Sequence, residues 1–169
     1  MDASKSRLGK KFEAMVEAQM RQYEVERRFY WQRNWPPTRY TKIDGRLAAI
    51  PSGEGPPDVL TLARDRTGEP FTVLFEIKSF DGTRWQLANV QTHQAAALDK
   101  AEAAGATSGV LLGQFDKGEF VAAFWLPWSV VGTLWHRWHL GVGGRGTAGL
   151  NIDELPPWKL VGVDWIEKC

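Results

Sequence analysis

The stretch that most constrains this chain runs from Pro57 to Lys78, PDVLTLARDRTGEPFTVLFEIK. Two apolar, alternating runs, residues 57–64 and 71–78, flank the polar connection Asp65-Arg66-Thr67-Gly68-Glu69-Pro70. This is the pattern of two β-strands joined as a hairpin. A turn centred on Thr67 sets Asp58 opposite Glu76, Leu60 opposite Leu74 and Leu62 opposite Thr72. Side chains alternate faces along a strand, so Asp58, Glu76 and Lys78 share one face. Phe71, Val73, Phe75 and Ile77 take the other and point into a core. Directly opposed Cβ atoms lie roughly 5 Å apart, and two carboxylates that close repel unless a cation lies between them. Hard oxygen ligands at this separation suit Mg²⁺ or Mn²⁺, with Lys78 two residues on to steady a water or a phosphate. The same residue types also end ordinary strands as solvated charges, and this pattern alone does not separate the two.

The flanking segments add candidates. Residues 4–23 carry apolar side chains at 8, 12, 15, 16, 20 and 23, the stripe of an amphipathic helix. Glu13 borders that stripe, with Gly9 one turn before it. Residues 25–35 are β-branched and aromatic enough for a strand. Pro36-Pro37 ends it, and residues 38–55 form a polar, basic excursion punctuated by Gly45, Pro51, Gly53 and Gly55. A helix is expected from an Asn89 cap to Ala104, stopped by Gly105. On it Gln94 shares a face with Leu87, Val90, Ala97, Leu98 and Ala101, and an amide in a buried stripe needs partners. Residues 109–115 and 119–125 read as a second hairpin around Asp116-Lys117-Gly118. A helix then begins at Pro127, residues 141–149 form a loop, Asn151 caps a short turn, and residues 160–166 make a last strand. Strands and helices mix with antiparallel neighbours, so the expected class is α/β, a mixed sheet flanked by helices.

Composition narrows the classes. At 169 residues, 43% apolar and 24% charged, the chain suits one globular domain able to bury about 70% of its unfolded surface. No apolar run reaches the roughly 20 residues of a bilayer span, so no membrane partner is expected. The start, MDASKSRLGKK, has no apolar segment behind its charges and does not resemble a secretory signal. The single cysteine, Cys169, excludes an internal disulfide and a Cys-based zinc site. A reducing, cytoplasmic location is expected. Charge is uneven: residues 1–46 hold eleven Lys and Arg against six Asp and Glu, a net of +5 that leaves −4 for the rest of a chain totalling +1. A basic region of that kind suits phosphate binding, though a solvated helix face and a basic loop would give the same count. His136 and His139, i and i+3 on a helix, have no third ligand near in sequence and read as packed histidines among tryptophans. GVGGRG (141–146) lacks the Gly-Lys-Ser/Thr ending of a phosphate loop.

Pro57-Asp58 followed by Glu76-Ile77-Lys78 resembles the PD-(D/E)xK nuclease motif. RLGKKFEAMV with Gly9 and Glu13, FEIKSF followed by WQLANVQTHQ, and the closing ELPPWKLVGVDWI extend the likeness over essentially the whole chain. Together they resemble the RecU-type Holliday junction resolvases. That resemblance implies a single restriction-endonuclease-like domain over 1–169. It also implies a homodimer that nicks four-way DNA junctions symmetrically with Mg²⁺, Mn²⁺ being able to substitute, in a bacterial or phage-infected cytoplasm. By position, Asp58 and Glu76 would bind the metal with help from the Ile77 carbonyl. Lys78 would position the water, and Glu13 and Gln94 would complete the catalytic set. Residues 36–52 stand where the family has a stalk that enters the junction, and Arg39, Tyr40, Lys42 and Arg46 would there meet phosphates and exposed bases. Lys10, Lys11 and His93 complete the expected DNA-binding set. The segment from Asn89 to His93 is one residue longer than the family pattern, and the stalk is shorter. Another nuclease of this superfamily, or a non-catalytic protein that binds branched DNA, remains an alternative.

Overall fold

The computed structural model describes residues 3–26, 29–34, 38–43, 46–51, 55, 57–64, 69–142, 148–151 and 159–160. The expected last strand at 160–166 and the centre of the Gly-rich segment lie mostly outside these. The chain begins with α1 (Ala3–Val25), followed by β1 (Phe29–Arg33). Phe12, Val16, Met20 and Tyr23 form the buried stripe of α1. The helix runs on through Val25, so β1 starts four residues later than the aromatic pattern implied.

A five-stranded sheet in the order β1-β4-β5-β7-β8 forms the centre, with β4 (Val59–Arg64), β5 (Pro70–Asp81), β7 (Thr107–Asp116) and β8 (Glu119–Pro127). The pairs β1/β4, β4/β5 and β7/β8 are antiparallel, while β5 and β7 are parallel. A parallel pair needs a crossover, supplied here by β6 (Arg84–Gln86), a 3-10 turn (Leu87–Asn89) and α2 (Thr92–Ala103). α3 (Trp128–His139) follows β8, and β9 (Gly149–Asn151) pairs with β6. Asn151 ends this short strand, and the turn expected after it lies outside the described residues. The chain is thus α/β, a mixed five-stranded sheet flanked by three helices, compatible with a restriction-endonuclease-like fold. No described helix is long and apolar enough to cross a membrane.

The two sheet faces build two cores. Val73, Phe75, Ile77, Leu111, Phe115, Ala123 and Trp125 pack with the α1 stripe. On the other face Val110, Leu112, Ala122, Phe124 and Leu126 pack with Leu87, Val90, Ala95 and Leu98 from the crossover, and with Trp128, Val131 and Trp135 of α3. Each large apolar side chain so buried contributes about 1.5–3 kcal/mol. Of the α3 tryptophans, Trp128 and Trp135 are buried in this core and Trp138 is partly buried against it. Trp128 and Trp135 satisfy their ring N–H groups on Asp99 Oδ1 (2.8 Å) and the Val90 carbonyl (3.0 Å). His136 Nε2 lies 3.0 Å from the same Asp99 oxygen, and His139 stacks on Trp135 with centroids 4.6 Å apart.

Two local expectations change. The basic excursion is an antiparallel hairpin, β2 (Thr38–Ile43) with β3 (Arg46–Pro51), in which Ile43 pairs Arg46 across Asp44-Gly45. Asp-Gly between β-forming residues is a hairpin signal, outweighed in the sequence by nearby glycines and prolines. The α2 cap is Gln91, not Asn89: the Gln91 side chain and the Gln94 side chain each bond the other's backbone N–H, a capping box. Gly105 does follow the helix with φ +85°, as a C′ glycine should.

Gly113, in the middle of β7, faces Phe12, and a Cβ there would lie 2.6 Å from the Phe12 ring. That ring is already hemmed in by Phe115 and Phe120. Gly113→Ala is expected to cost about 1–3 kcal/mol through overpacking, read as a lower urea midpoint at unchanged slope. An unchanged midpoint would refute the close α1–sheet contact.

Candidate active site at the β4 and β5 strand ends

The hairpin register is the one the turn at Thr67 implies: Leu60 pairs Leu74, Leu62 pairs Thr72, and Val59 pairs Phe75. One step before Val59, Asp58 leaves the ladder, and side chains take over the pairing. Ile77 N donates to Asp58 Oδ2 at 2.8 Å, while Asp58 N donates to Glu76 Oε2 at 3.3 Å. These two crossed bonds bring both carboxylates together where β4 begins beside the middle of β5.

Glu76 sits on the middle strand and is only 1% exposed. Its second oxygen, Oε1, accepts from Lys78 Nζ at 2.6 Å and from Gln94 Nε2. Lys78 reaches it because residues i and i+2 share a strand face. Gln94 reaches it from the first turn of α2, and its orientation is forced. Its own Oε1 accepts the Gln91 backbone N–H at 2.9 Å, so only the NH₂ end remains to face Glu76. The capping box thus fixes Gln94 as a donor to the site.

Burial, and after it the neighbouring Asp58 charge, together raise the Glu76 pKa to about 7, with Lys78 opposing both. A buried carboxylate pushed up by a second carboxylate is the electrostatic condition that a bound cation relieves. Among the described residues, no three His, Cys, Asp or Glu side chains gather into a metal-binding group. The protein would therefore supply two carboxylates, with backbone, water and substrate oxygens filling the other positions. That all-oxygen, partly hydrated set fits Mg²⁺.

The other expected residues divide. Glu13 lies on α1, which packs on the opposite sheet face from α2. Its Oε2 accepts from Arg33 Nη2, and Glu17 Oε1 accepts from Arg33 Nη1. Burial alone would lower the Arg33 pKa, but the bonds and charges of Glu13 and Glu17 leave it raised. Among the described residues Glu13 is thus joined to Arg33, not to Asp58 or Glu76. Lys11 Nζ lies on the β7–β8 turn, 3.1 Å from the Gly118 carbonyl, 3.6 Å from Glu119 Oε2 and 5.7 Å above the Phe115 ring. Lys10 is exposed on α1, and His93 is half-buried beside Gln94. Arg39, Tyr40, Lys42 and Arg46 lie on the β2–β3 hairpin by backbone position. Arg33, Glu17 and Asn34 went unmarked by sequence reasoning, because the register of β1 on β4 spans a 25-residue separation with no turn to set it.

No protein-family model and no curated protein matches this chain.

The Glu76 pKa has a direct consequence for stability. Between about 4.5, its ordinary value, and about 7, the folded protein holds a proton that the unfolded chain has released. Stability in EDTA should therefore fall as pH rises through that window, by roughly 3 kcal/mol from this one group, and level off above it. Glu76→Gln should remove this component, so the difference between wild type and variant across pH 4.5–7 isolates it. Parallel pH profiles for the two proteins would contradict a buried, proton-holding Glu76.

Proposed function

We propose that the chain is a Mg²⁺-dependent endodeoxyribonuclease of the PD-(D/E)xK kind, acting as a homodimer on branched DNA. The observation that carries the nuclease reading is the joining of Asp58, Glu76, Lys78 and Gln94 where β4 begins beside β5, with Glu76 buried next to a second carboxylate. The four-way junction as substrate rests on the resemblance to RecU-type resolvases, supported by a basic hairpin placed between β1 and Asp58 in the chain.

In this reading Asp58 and Glu76 hold the metal, with the Ile77 carbonyl as an adjacent ligand. A bound Mg²⁺ would supply a coordinated water of lowered pKa and neutralise charge on the scissile phosphate. The residues of the chain do the rest. Gln94, locked by its capping box, keeps the Glu76 carboxylate turned to the site. Lys78 shares Glu76 Oε1 with Gln94, so it can turn its ammonium to a water or a phosphate oxygen and leave Glu76 oriented. There it stabilises the charge that develops as water attacks phosphorus and the 3′ oxygen leaves. A two-fold dimer would present two such sites to the two strands of a symmetric junction.

The decisive assay offers a synthetic four-way junction and a linear duplex of equal length at equal concentration, with Mg²⁺. Paired symmetric nicks in the junction are expected. Lys78→Ala should lower the rate about 10²–10³-fold, and Asp58→Asn should abolish cleavage while junction binding survives in a gel shift. Preferential cutting of the duplex would replace the resolvase reading with that of a restriction or repair nuclease. No cleavage of either DNA would end the enzymatic reading.

A further inference from the structure

Asp58 stands outside the β4 ladder, and few bonds among the described residues hold its backbone. One is its N–H to Glu76 Oε2, which is long at 3.3 Å and made to the very carboxylate the site would use. The others come from Asn34, the residue after β1. Asn34 N donates to the Asp58 carbonyl at 2.8 Å, and Asn34 Nδ2 donates to the Pro57 carbonyl at 2.8 Å. Pro57 is buried, and a buried carbonyl without a donor is unfavourable. The Asn34 amide removes that cost and fixes the Pro57–Asp58 peptide at the same time. Because Arg33 pairs Val59 and Val59 pairs Phe75, Asn34 after β1, Asp58 before β4 and Glu76 within β5 form one row across three neighbouring strands. Arg33, next in the chain, is held by Glu13 and Glu17, which ties this row to α1.

We propose that Asn34 is a positioning residue for Asp58: its two bonds to the Pro57–Asp58 backbone set how tightly the Asp58–Glu76 pair holds a divalent cation. The proposal rests on reading that pair as the metal site. It is specific to Asn34 because this restraint is independent of the site's own charges. When Glu76 turns its oxygens to a cation, the Asn34 bonds still hold the Asp58 main chain. Hydrogen-bond partners that orient metal ligands commonly change metal affinity 10–100-fold when removed.

The test compares wild type, Asn34→Ala and Asn34→Ser by calorimetric Mg²⁺ titration, by melting in EDTA, and by junction cleavage over a range of Mg²⁺. Asn34→Ala keeps the backbone bond and loses the amide. Its Mg²⁺ dissociation constant is expected to rise about 10-fold or more, measured at a temperature where the melting curve in EDTA shows the variant still folded. Cleavage should be impaired at limiting Mg²⁺ and approach wild type at saturation. Asn34→Ser, which restores a shorter donor, should fall between. Wild-type Mg²⁺ affinity in Asn34→Ala overturns the proposal, and if that variant does not fold, wild-type affinity in Asn34→Ser overturns it equally. If wild type itself binds no Mg²⁺, the nuclease reading fails and takes this one with it. Binding by wild type and equal binding by the variants removes this proposal alone.

Discussion

Among the described residues Glu76 is the one Asp, Glu, Lys, Arg or His side chain that the fold buries, and the surrounding arrangement follows from the need to accommodate it. An isolated charge in an apolar interior is too costly to keep, so its oxygens must be met by donors or it must hold a proton. Both happen here. Asp58 N, Lys78 Nζ and Gln94 Nε2 converge on the two oxygens, and burial with a second carboxylate nearby lifts the pKa towards neutrality. Replacing Glu76 by a leucine would remove that tension, so its presence is a cost that folding does not require. A cation site gives the arrangement a purpose that packing does not.

The elements that carry charge to this point are themselves held by simple local physics. The β4–β5 hairpin delivers Asp58 and Glu76 through register. Strand alternation delivers Lys78, and the N-terminus of α2 delivers Gln94 with its amide already oriented. On the other sheet face, α1 answers a different need. Glu13 and Glu17, one helical turn apart, grip Arg33 at the end of β1. The geometry therefore gives Glu13 a role through Arg33 and the strand end, where the resemblance alone would have set it in the site.

Much of this was legible in the sequence. The hairpin register could be read because a centre at Thr67 keeps both alternating runs in phase, with Arg64 pairing Pro70, and a slip by one residue would have turned Phe75 and Ile77 outward. The α1 stripe, the second hairpin and the Pro127 helix start were visible for similar reasons of local periodicity. The illegible parts are those governed by distant or competing signals. The β2–β3 hairpin was hidden by the breakers on either side of its strands in the sequence. The α2 cap shifted from Asn89 to Gln91 because a 3-10 turn intervenes and a reciprocal Gln–Gln box satisfies the first N–H groups. Arg33 and Asn34 acquire meaning only when β1 is laid against β4, a long-range pairing that no short pattern encodes.

The central claim is that Asp58 and Glu76 act as one cation site built at the mouth of the hairpin. The most direct measurement is a crystal structure of the protein grown with Mn²⁺, with the metal located by anomalous scattering. One strong peak within coordination distance of both carboxylates is predicted, with Lys78 released from Glu76 Oε1 or sharing it with Gln94. No peak at that position, with the Lys78–Glu76 ion pair intact at saturating Mn²⁺, would contradict it.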